Sequence, residues 1–479
     1  MKLKDLKESF SDFWSEYKRQ KIGIAGIILL ILIITIALIA PLIVPFPEGG
    51  DRWTDITYWE DNPTSVPPSW VNHFSTKKRP QTESVPGINR TEVEMGNILC
   101  ITLGFPYDHI SDYPPSNLIL HSHIEYRDPL KIPMITIELE RPDGDHVLLL
   151  SRKITTSAQE GRDVDLRISF EGAQSVKNAA YNYGVDYESD DNLRMVKKEV
   201  FDWTALLFSE LSEGLLLGKA PQLKGVYNLI VKIYLMSPDD HVGDSRAIFS
   251  GQVFGYLGTD SHKRDLWTGI IMGTKYALLV GVLTAVICIM IGVLFGITSA
   301  YSGGWVDELM QRFNELVISI PILPVMIVIG AVLEPSIWLI ILFIAILSWT
   351  TTAKVARSMG LQIKEQTFVE SARAIGASGK RVLIKHMIPQ VLPYSFAQMA
   401  LFVPGAIILE SSLSLLGCGD TSIVTWGQIL HDAWTEAATM SGMWWWIIPP
   451  GLAITIVSIS FVLVGFAMDT ILNPKLRTR

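Results

Sequence analysis

The chain has 479 residues, of which 49% are hydrophobic and only 18% are charged. Soluble globular proteins carry about 25% charged residues, so this composition argues against a fully soluble enzyme. The net charge of −8 argues against a nucleic-acid-binding protein, which needs a strongly basic face. The three cysteines are too few and too scattered for a disulfide framework or a zinc site. These features indicate a membrane protein with a sizeable part in water.

The apolar residues are concentrated in six segments, and about 20 apolar residues span a bilayer core. The first segment, Ile22–Ala40, is longer than the apolar region of a signal peptide, which is ~7–15 residues, so we expect a retained helix. The other five follow a long stretch that contains no such segment: Tyr276–Tyr301, Leu316–Leu333, Ile337–Thr352, Phe396–Leu416 and Trp444–Met468. The sequence therefore predicts six transmembrane helices.

The distribution of Lys and Arg orients these helices. Residues 1–21 carry six Lys or Arg and residues 353–393 carry seven, whereas residues 333–336 and 417–443 carry none. Cytoplasmic loops are enriched in these residues. We therefore expect both termini, with residues 302–315 and 353–393, on the cytoplasmic side of the cell membrane. Residues 45–268, 333–336 and 417–443 are expected outside. Six helices satisfy every one of these assignments, and five or seven would not.

Residues 45–268 contain 22 Lys or Arg and 33 Asp or Glu, and they must fold in water. Alternating and β-branched runs predict seven strands: Ile98–Phe105, Asn117–Tyr126, Pro133–Glu140, His146–Ile154, Asp163–Phe170, Val226–Met236 and Arg246–Phe254. The stretch Arg141-Pro142-Asp143-Gly144 predicts a hairpin turn, and Lys197–Leu217 predicts an amphipathic helix. Seven short strands with turn signals favour an antiparallel, mostly β sandwich.

Few residues of this predicted β domain point to chemistry. His121 and His123 would lie on one strand face as a possible metal pair, although two surface histidines are the better interpretation. Asn89-Arg90-Thr91 is a glycosylation sequon, a short match that fits an outside placement. No arrangement of Ser, His, Asp or Cys predicts a catalytic residue, and we expect no metal site.

Residues 364–389 carry the strongest functional signal. Helix formers predict a helix over Lys364–Ile375 that ends at Gly376, where a left-handed corner is permitted. Ser378 predicts the cap of a second helix that ends near Pro389. The small residues and basic charges of this cytoplasmic loop favour docking of a soluble partner. A basic loop that lies on anionic lipid is the alternative. The stretch Gly376-Ala377-Ser378-Gly379-Lys380 is superficially similar to a Walker loop. It does not fit the pattern, because Ala374 stands where the first Gly is required and Arg381 where Ser or Thr is required.

In this loop Glu370-Ser371-Ala372 is followed after three residues by Gly376, and after nine more by His386-Met387-Ile388-Pro389. This motif resembles the EAA loop of ABC-importer permeases. The His386 form is similar to the second, C-type permease subunit of the dipeptide/oligopeptide/nickel importers. Further similar motifs occur along residues 1–45 and 254–479: Gly258-Thr259-Asp260, Tyr301-Ser302-Gly303-Gly304, Leu413-Ser414-Leu415-Leu416-Gly417, Trp426-Gly427 and Asn473-Pro474-Lys475-Leu476. Residues 46–253 have no counterpart in this resemblance and form an inserted domain.

The resemblance implies a type I ABC-importer permease: an all-α polytopic membrane domain, here with a large inserted, mostly β extracytoplasmic domain. It implies three kinds of partner, namely a second permease subunit, two ATPase subunits and an extracytoplasmic solute-binding protein. The partner subunits would hydrolyse ATP, so this chain would be no enzyme and would bind no cofactor. It also implies the residues of the ATPase-coupling loop: Glu370, Ser371, Ala372, Arg373, Gly376, His386 and Pro389. We expect the inserted domain to contact the solute-binding protein.

Two charged residues in or near the predicted spans are candidates for the pore. A charge at bilayer depth is costly and faces a cavity or a partner. Glu410 is therefore predicted to line the pore or bind a substrate amine, with a hydrogen bond to another helix as the structural alternative. Lys275 is predicted to extend to the membrane interface, with contact to a peptide carboxylate as the alternative.

The resemblance favours peptides as the cargo, with nickel or oligosaccharides as alternatives. A membrane-anchored receptor that works through its β domain would not explain the five later spans. An integral-membrane hydrolase would need paired catalytic residues at membrane depth, and Asp469 and Glu410 are isolated in sequence.

Overall fold

The computed structural model describes residues 14–44, 52–96, 98–126, 131–154, 164–195, 201–237 and 239–472. The chain divides into two compact units. One unit, called here the membrane unit, combines residues 1–55 and 268–479, and the other, the inserted unit, comprises residues 56–267. Most of the basic residues expected at the termini fall in residues 1–13 and 473–479, which lie outside the described residues.

The helices are, in chain order, α1 Lys21–Ile43, α2 Ile56–Trp59, α3 Val71–Phe74, α4 Gln174–Gly184, α5 Asp190–Met195, α6 Trp203–Leu207, α7 Leu266–Ser302, α8 Gly304–Ile318, α9 Ile322–Val332, α10 Ile337–Ser348, α11 Thr350–Lys364, α12 Thr367–Ala374, α13 Gly379–Val382, α14 Ile388–Leu413, α15 Trp426–Thr435 and α16 Trp444–Leu472. Two π-helical segments, Leu383–Met387 and Ser414–Cys418, flank α14.

The described residues of the inserted unit include nine strands: β1 Glu83–Pro86, β2 Ile88–Met95, β3 Ile98–His109, β4 Asn117–Glu125, β5 Met134–Glu140, β6 His146–Lys153, β7 Val164–Ser169, β8 Gly225–Leu235 and β9 His241–Ser250. They make two antiparallel sheets, one in the order β1-β9-β4-β7 and one in the order β2-β3-β8-β5-β6. Alternate residues of β5 (Ile135, Ile137 and Leu139) are buried, as the period of two requires.

The seven predicted strands correspond to β3 through β9, so the mostly β prediction is confirmed. The predicted hairpin turn joins β5 to β6: Arg141 N donates to Asp145 O at 2.9 Å, and Gly144 has φ +92°. The buried Arg141 guanidinium also donates to the carbonyl oxygens of Leu207 and Ser209, which fixes the turn to a neighbouring loop. Strands β1 and β2 are additions that the sequence did not predict.

The predicted helix over Lys197–Leu217 is wrong in its described part. Residues 196–200 lie outside the described residues, and α6 covers only Trp203–Leu207. Asp202 caps this single turn by accepting from the backbone N–H groups of Thr204 and Ala205. The chain then folds back, since Glu210 N donates to Pro221 O at 2.8 Å. The apolar residues of this segment thus line the sandwich core as a loop.

Among the described residues, four helices are long and apolar enough to cross a membrane, and six crossings result if each of two bent helix pairs is one span. The predicted span Leu316–Leu333 is wrong as a single helix, because α8 ends at Ile318 and meets α9 at 69°. Pro321 explains the break, since proline lacks an N–H and disfavours helical geometry at the residue before it. The predicted span Ile337–Thr352 similarly divides at Trp349 into α10 and α11, which meet at 42°.

His109 gives a test of the packing of the inserted unit. Its side chain is fully buried among aromatic rings, including Phe208 at 5.3 Å. Burial lowers the pKa of the imidazole from its ordinary 6.5 to about 4, with smaller effects from the charges of Lys224, Asp108 and Asp112. The unfolded chain therefore binds more protons than the folded chain as the pH falls below 6.5.

We expect the inserted unit to lose roughly 3 kcal/mol of stability between pH 7 and pH 4 through this group alone. His109→Phe removes the titrating group and preserves the aromatic cluster, so it should flatten this part of the pH dependence. Thermal unfolding of the purified full chain at a series of pH values measures the difference. An unchanged slope in the variant would show that His109 is not the group responsible.

Candidate functional site

The candidate site is the loop between α11 and α14, and its centre is the short helix α12. Backbone hydrogen bonds close the end of α12, with Ala377 N donating to Ala372 O at 3.0 Å and Gly376 N donating to Arg373 O at 2.9 Å. Gly376 has φ +85°, the left-handed geometry that the sequence predicted for this corner. Ser378 occupies the cap position of α13, but its side chain makes no capping hydrogen bond.

The predicted end of the second helix near Pro389 is wrong. After α13 the chain passes through the π-helical segment Leu383–Met387 and continues directly into α14, with Pro389 in the first turn of α14. A proline in the first turn of a helix needs no N–H partner, and the wider π turn before it accommodates the ring. The loop is therefore joined to a long apolar helix without an intervening hinge.

The inner face of α12 is packed into the membrane unit. Val369 and Ala372 are buried, and they belong to one core with residues of five neighbouring segments. The other members of this core are Ile289, Val293 and Ile297 of α7, Ala356 of α11, Val382 of α13, Met387 of the π-helical segment and Val391 of α14. We call this set the seating core. Because it joins α12 to α7, α11 and α14, displacement of α12 strains all three helices.

The outer face of α12 is exposed. Glu370, Ser371, Arg373 and Gly376 all lie on this face or at its end. Ala372 differs from these predicted coupling residues, because its side chain points into the seating core. Ile375, directly after the last residue of α12, is 86% exposed and was not among the predicted coupling residues. A large apolar residue between Ala374 and the helix-ending Gly376 was the available signal.

Polar contacts hold the loop against the end of α7. The Arg373 guanidinium lies over the Tyr301 ring at 4.7 Å, and Lys364 Nζ donates to Ala300 O at 3.1 Å. A Cβ at Gly379 would lie 3.0 Å from Tyr301 Oη, so glycine permits this close approach. His386 is half-buried and Pro389 is exposed.

Helices α7 and α11 approach each other through glycines. A Cβ at Gly292 would lie 2.6 Å from Thr352 Cβ, and one at Gly360 would lie 2.8 Å from Ala300 Cβ. A Cβ at Gly296 would overlap the Ala353 carbonyl oxygen. Such small-residue contacts let helix backbones pack closely within a membrane.

An ion pair reinforces this contact near the C-terminal end of α7. Arg357 of α11 donates to both carboxylate oxygens of Asp307 at 2.7 and 2.6 Å, a bidentate geometry. Ser299 of α7 donates to the same carboxylate. The start of α8 is thereby tied to both α7 and α11.

The two candidate pore residues lie apart from this loop. The carboxylate of Glu410 is buried and accepts hydrogen bonds from Ser414 Oγ at 2.8 Å and Ser411 Oγ at 3.3 Å. Ser411 and Ser414 belong to α14 and to the π-helical segment that continues it, so these two bonds are local and do not join Glu410 to another helix. Lys275 Nζ lies over the Tyr276 ring at 4.5 Å, a contact that an amine near the membrane interface can make.

The two candidate histidines of the inserted unit are each paired with a carboxylate. His121 Nε2 lies 2.9 Å from Asp61 Oδ1, and His123 Nδ1 lies 2.7 Å from Asp165 Oδ1. Within the ranges that the structure describes, no group of three or more His, Cys, Asp or Glu residues could hold a metal ion. The histidines are thus placed in separate side-chain pairs.

The glycine contact between α7 and α11 can be tested directly. We expect Gly296→Ala to destabilise the membrane unit by about 1–3 kcal/mol, because the methyl group forces the helices apart. Gly405→Ala in α14 is the matched control, since nothing lies within 4 Å of a Cβ built there. The thermal midpoint of each variant in detergent measures the effect. Equal midpoints for the two variants would contradict the close packing.

Two family models match the chain. The model for the binding-protein-dependent transport system inner membrane component matches residues 292–478, and the model for the N-terminal TM domain of oligopeptide transport permease C matches residues 9–63. Residues 64–291, which include most of the inserted unit, lie outside both matches.

Several characterised permeases are similar to the chain. The dipeptide transport system permease protein DppC of Bacillus subtilis is 33% identical over 223 residues, which are 46% of this chain and 69% of the relative. The oligopeptide transport system permease protein OppC of Haemophilus influenzae is 34% identical over 223 residues, 46% of this chain and 71% of the relative. The oligopeptide transport system permease protein OppC of Bacillus subtilis is 32% identical over 223 residues, which are 46% of this chain and 72% of the relative.

Proposed function

Because the chain belongs to the family of binding-protein-dependent transport system inner membrane components, as a dipeptide/oligopeptide ABC permease, we propose that it forms part of the pore of an ATP-driven peptide importer. Its membership confirms the resemblance found in the sequence motifs. It is a multi-pass membrane protein. Peptides are the proposed cargo, because the similar permeases are named for dipeptide and oligopeptide transport.

The proposed coupling to ATP rests on one observation, the two-sided character of α12. Its inner face is fixed in the seating core, and its outer side carries Ile375, which is 86% exposed. Burying an isoleucine side chain stabilises a complex by about 1.5–3 kcal/mol, so Ile375 is a strong anchor for a partner. A partner that moves α12 would transmit the motion through the seating core into α7, α11 and α14.

The proposed partners are a second permease subunit, two ATPase subunits and an extracytoplasmic solute-binding protein. ATP is hydrolysed by the ATPase subunits in this proposal, because Ala374 and Arg381 remove two required positions of a Walker loop from this chain. The chain itself acts as a transport subunit that binds no cofactor.

The proposed orientation follows from the basic residues. Residues 353–393 carry seven Lys or Arg and include α12, so we place this loop and both termini in the cytoplasm. Each bent helix pair then counts as one of six spans, and residues 45–268 lie outside. In this orientation Ile375 faces the compartment that contains ATP.

Substitution of the exposed Ile375 tests the proposed coupling between α12 and the ATPase subunits. We expect Ile375→Asp to lower recovery of the ATPase subunits with the tagged chain at least about tenfold, because a carboxylate replaces a buried apolar contact. Leu148→Asp, at a 51% exposed position of β6, is the control for a general effect of an added carboxylate. Quantitative mass spectrometry of gently solubilised native membranes provides the measurement.

The variants must also keep their own fold. The thermal midpoint of Ile375→Asp in detergent should equal that of the unsubstituted chain, because the side chain makes few internal contacts. Undiminished recovery of ATPase subunits with this variant would overturn the docking role of α12.

A further inference from the structure

A cavity of about 400 Å³ lies in the membrane unit where both bent helix pairs break. Ile318 and Ile322 line it at the junction of α8 and α9, and Ser348 and Thr350 line it at the junction of α10 and α11. The volume falls within the roughly 300–1,000 Å³ that is usual for ligand pockets. It does not include either of the pore candidates, Glu410 and Lys275.

The lining combines apolar side chains with uncharged polar ones. Among the residues described around the cavity, none carries a charge, and six carry hydroxyl or amide groups: Ser348, Thr350, Thr351, Thr352, Tyr394 and Gln398. Neighbouring polar side chains are already paired, since Asn314 donates to Thr350 O and Ser395 donates to Val391 O. Among the residues that the structure describes, Tyr394 and Gln398 have no such side-chain hydrogen bond.

One face of α14 forms a wall of this cavity. Tyr394, Gln398, Leu401 and Phe402 all line it, and their spacing of i, i+4, i+7 and i+8 places them on a single helical face. Two polar groups followed by two apolar ones make a wall that offers both hydrogen bonds and apolar contact. Isolated polar groups on a membrane helix are costly unless they find partners.

The cavity is also connected to the seating core. Ile289 of α7 belongs to both, and Val391 of the core lies one helical turn before Tyr394. A displacement of α12 that shifts α7 and α14 therefore moves two walls of the cavity. Such a connection is what a passage opened and closed by a docked partner requires.

We propose that this cavity is a segment of the substrate passage, and that its hydroxyl and amide groups bind the main-chain amides of a peptide in transit. The inference rests on the proposed function and adds the chemistry of the passage. A charged wall in a low-dielectric site would repel peptides that carry the same charge. Neutral donors and acceptors instead match the main chain, which all peptides share.

Single thiols on opposite faces of α14 test this proposal. Gln398→Cys places a thiol in the cavity, and Phe396→Cys places one about 200° around the helix axis, at a position that is 52% exposed. Both variants are made with Cys418→Ser in the full transporter, because Cys418 is the half-buried cysteine and Cys100 and Cys288 are buried. The probes are a charged methanethiosulfonate, its benzyl analogue and radiolabelled trialanine.

We expect the thiol of Gln398→Cys to react with the charged reagent at least about tenfold faster than the thiol of Phe396→Cys, because a thiolate forms in water and not in lipid. Trialanine should slow the reaction at position 398. Benzylation at position 398 should abolish trialanine uptake, whereas benzylation at position 396 should leave uptake unchanged. Equal reactivity of the two thiols, or full uptake of trialanine after benzylation at position 398, would overturn the proposal that this cavity is a segment of the substrate passage.

Failure of the proposed function gives a different result. The unsubstituted transporter would then take up no trialanine although the thiol of Gln398→Cys still reacted rapidly with the charged reagent. That result would overturn the assignment of peptide main chains as the ligand.

Discussion

The close approach of α7 and α11 is the constraint on which the membrane unit depends. Gly292 and Gly296 leave no room for a side chain between the two helices, and the Arg357–Asp307 ion pair ties α11 to the start of α8 near the C-terminal end of α7. This contact fixes the positions of Ile289, Val293, Ile297 and Ala356, which form one side of the seating core. The short helix α12 has eight residues, too few to be stable alone, and it keeps its orientation because this core fixes it.

The same arrangement explains how a short loop can act on a distant cavity. A packed core responds to a push by moving as a unit or by switching to another packing, since its interior is nearly as dense as a molecular crystal. Helix α14 continues from the loop through a π-helical segment, and its cavity face begins one turn beyond the seating core. Partner binding that favours one packing over the other would therefore bias the cavity walls.

Much of this architecture was predictable because its signals are local. The six apolar segments, the seven alternating strands and the left-handed corner at Gly376 each depend on periodicity or on one residue type. Most of the features that the sequence did not predict depend on tertiary packing. Strand β2 is exposed at every position, so it shows no buried alternation. The segment after Leu207 has the pattern of a helix but folds as a loop, because the sandwich core buries its apolar residues. Pro321 was a visible signal for the break between α8 and α9, whereas the inward direction of Ala372 required the packed neighbours.

Photo-cross-linking from Ile375 in native membranes tests the docking of α12 most directly. A photoreactive residue at position 375 should give an adduct with an ATP-binding subunit, identified by mass spectrometry. The matched position is Met440, which is 93% exposed and belongs to a segment without Lys or Arg that we place on the opposite side of the membrane. We expect no such adduct from position 440. Adducts with ATP-binding subunits from position 440, or with lipid alone from position 375, would contradict both the coupling role of α12 and the proposed orientation.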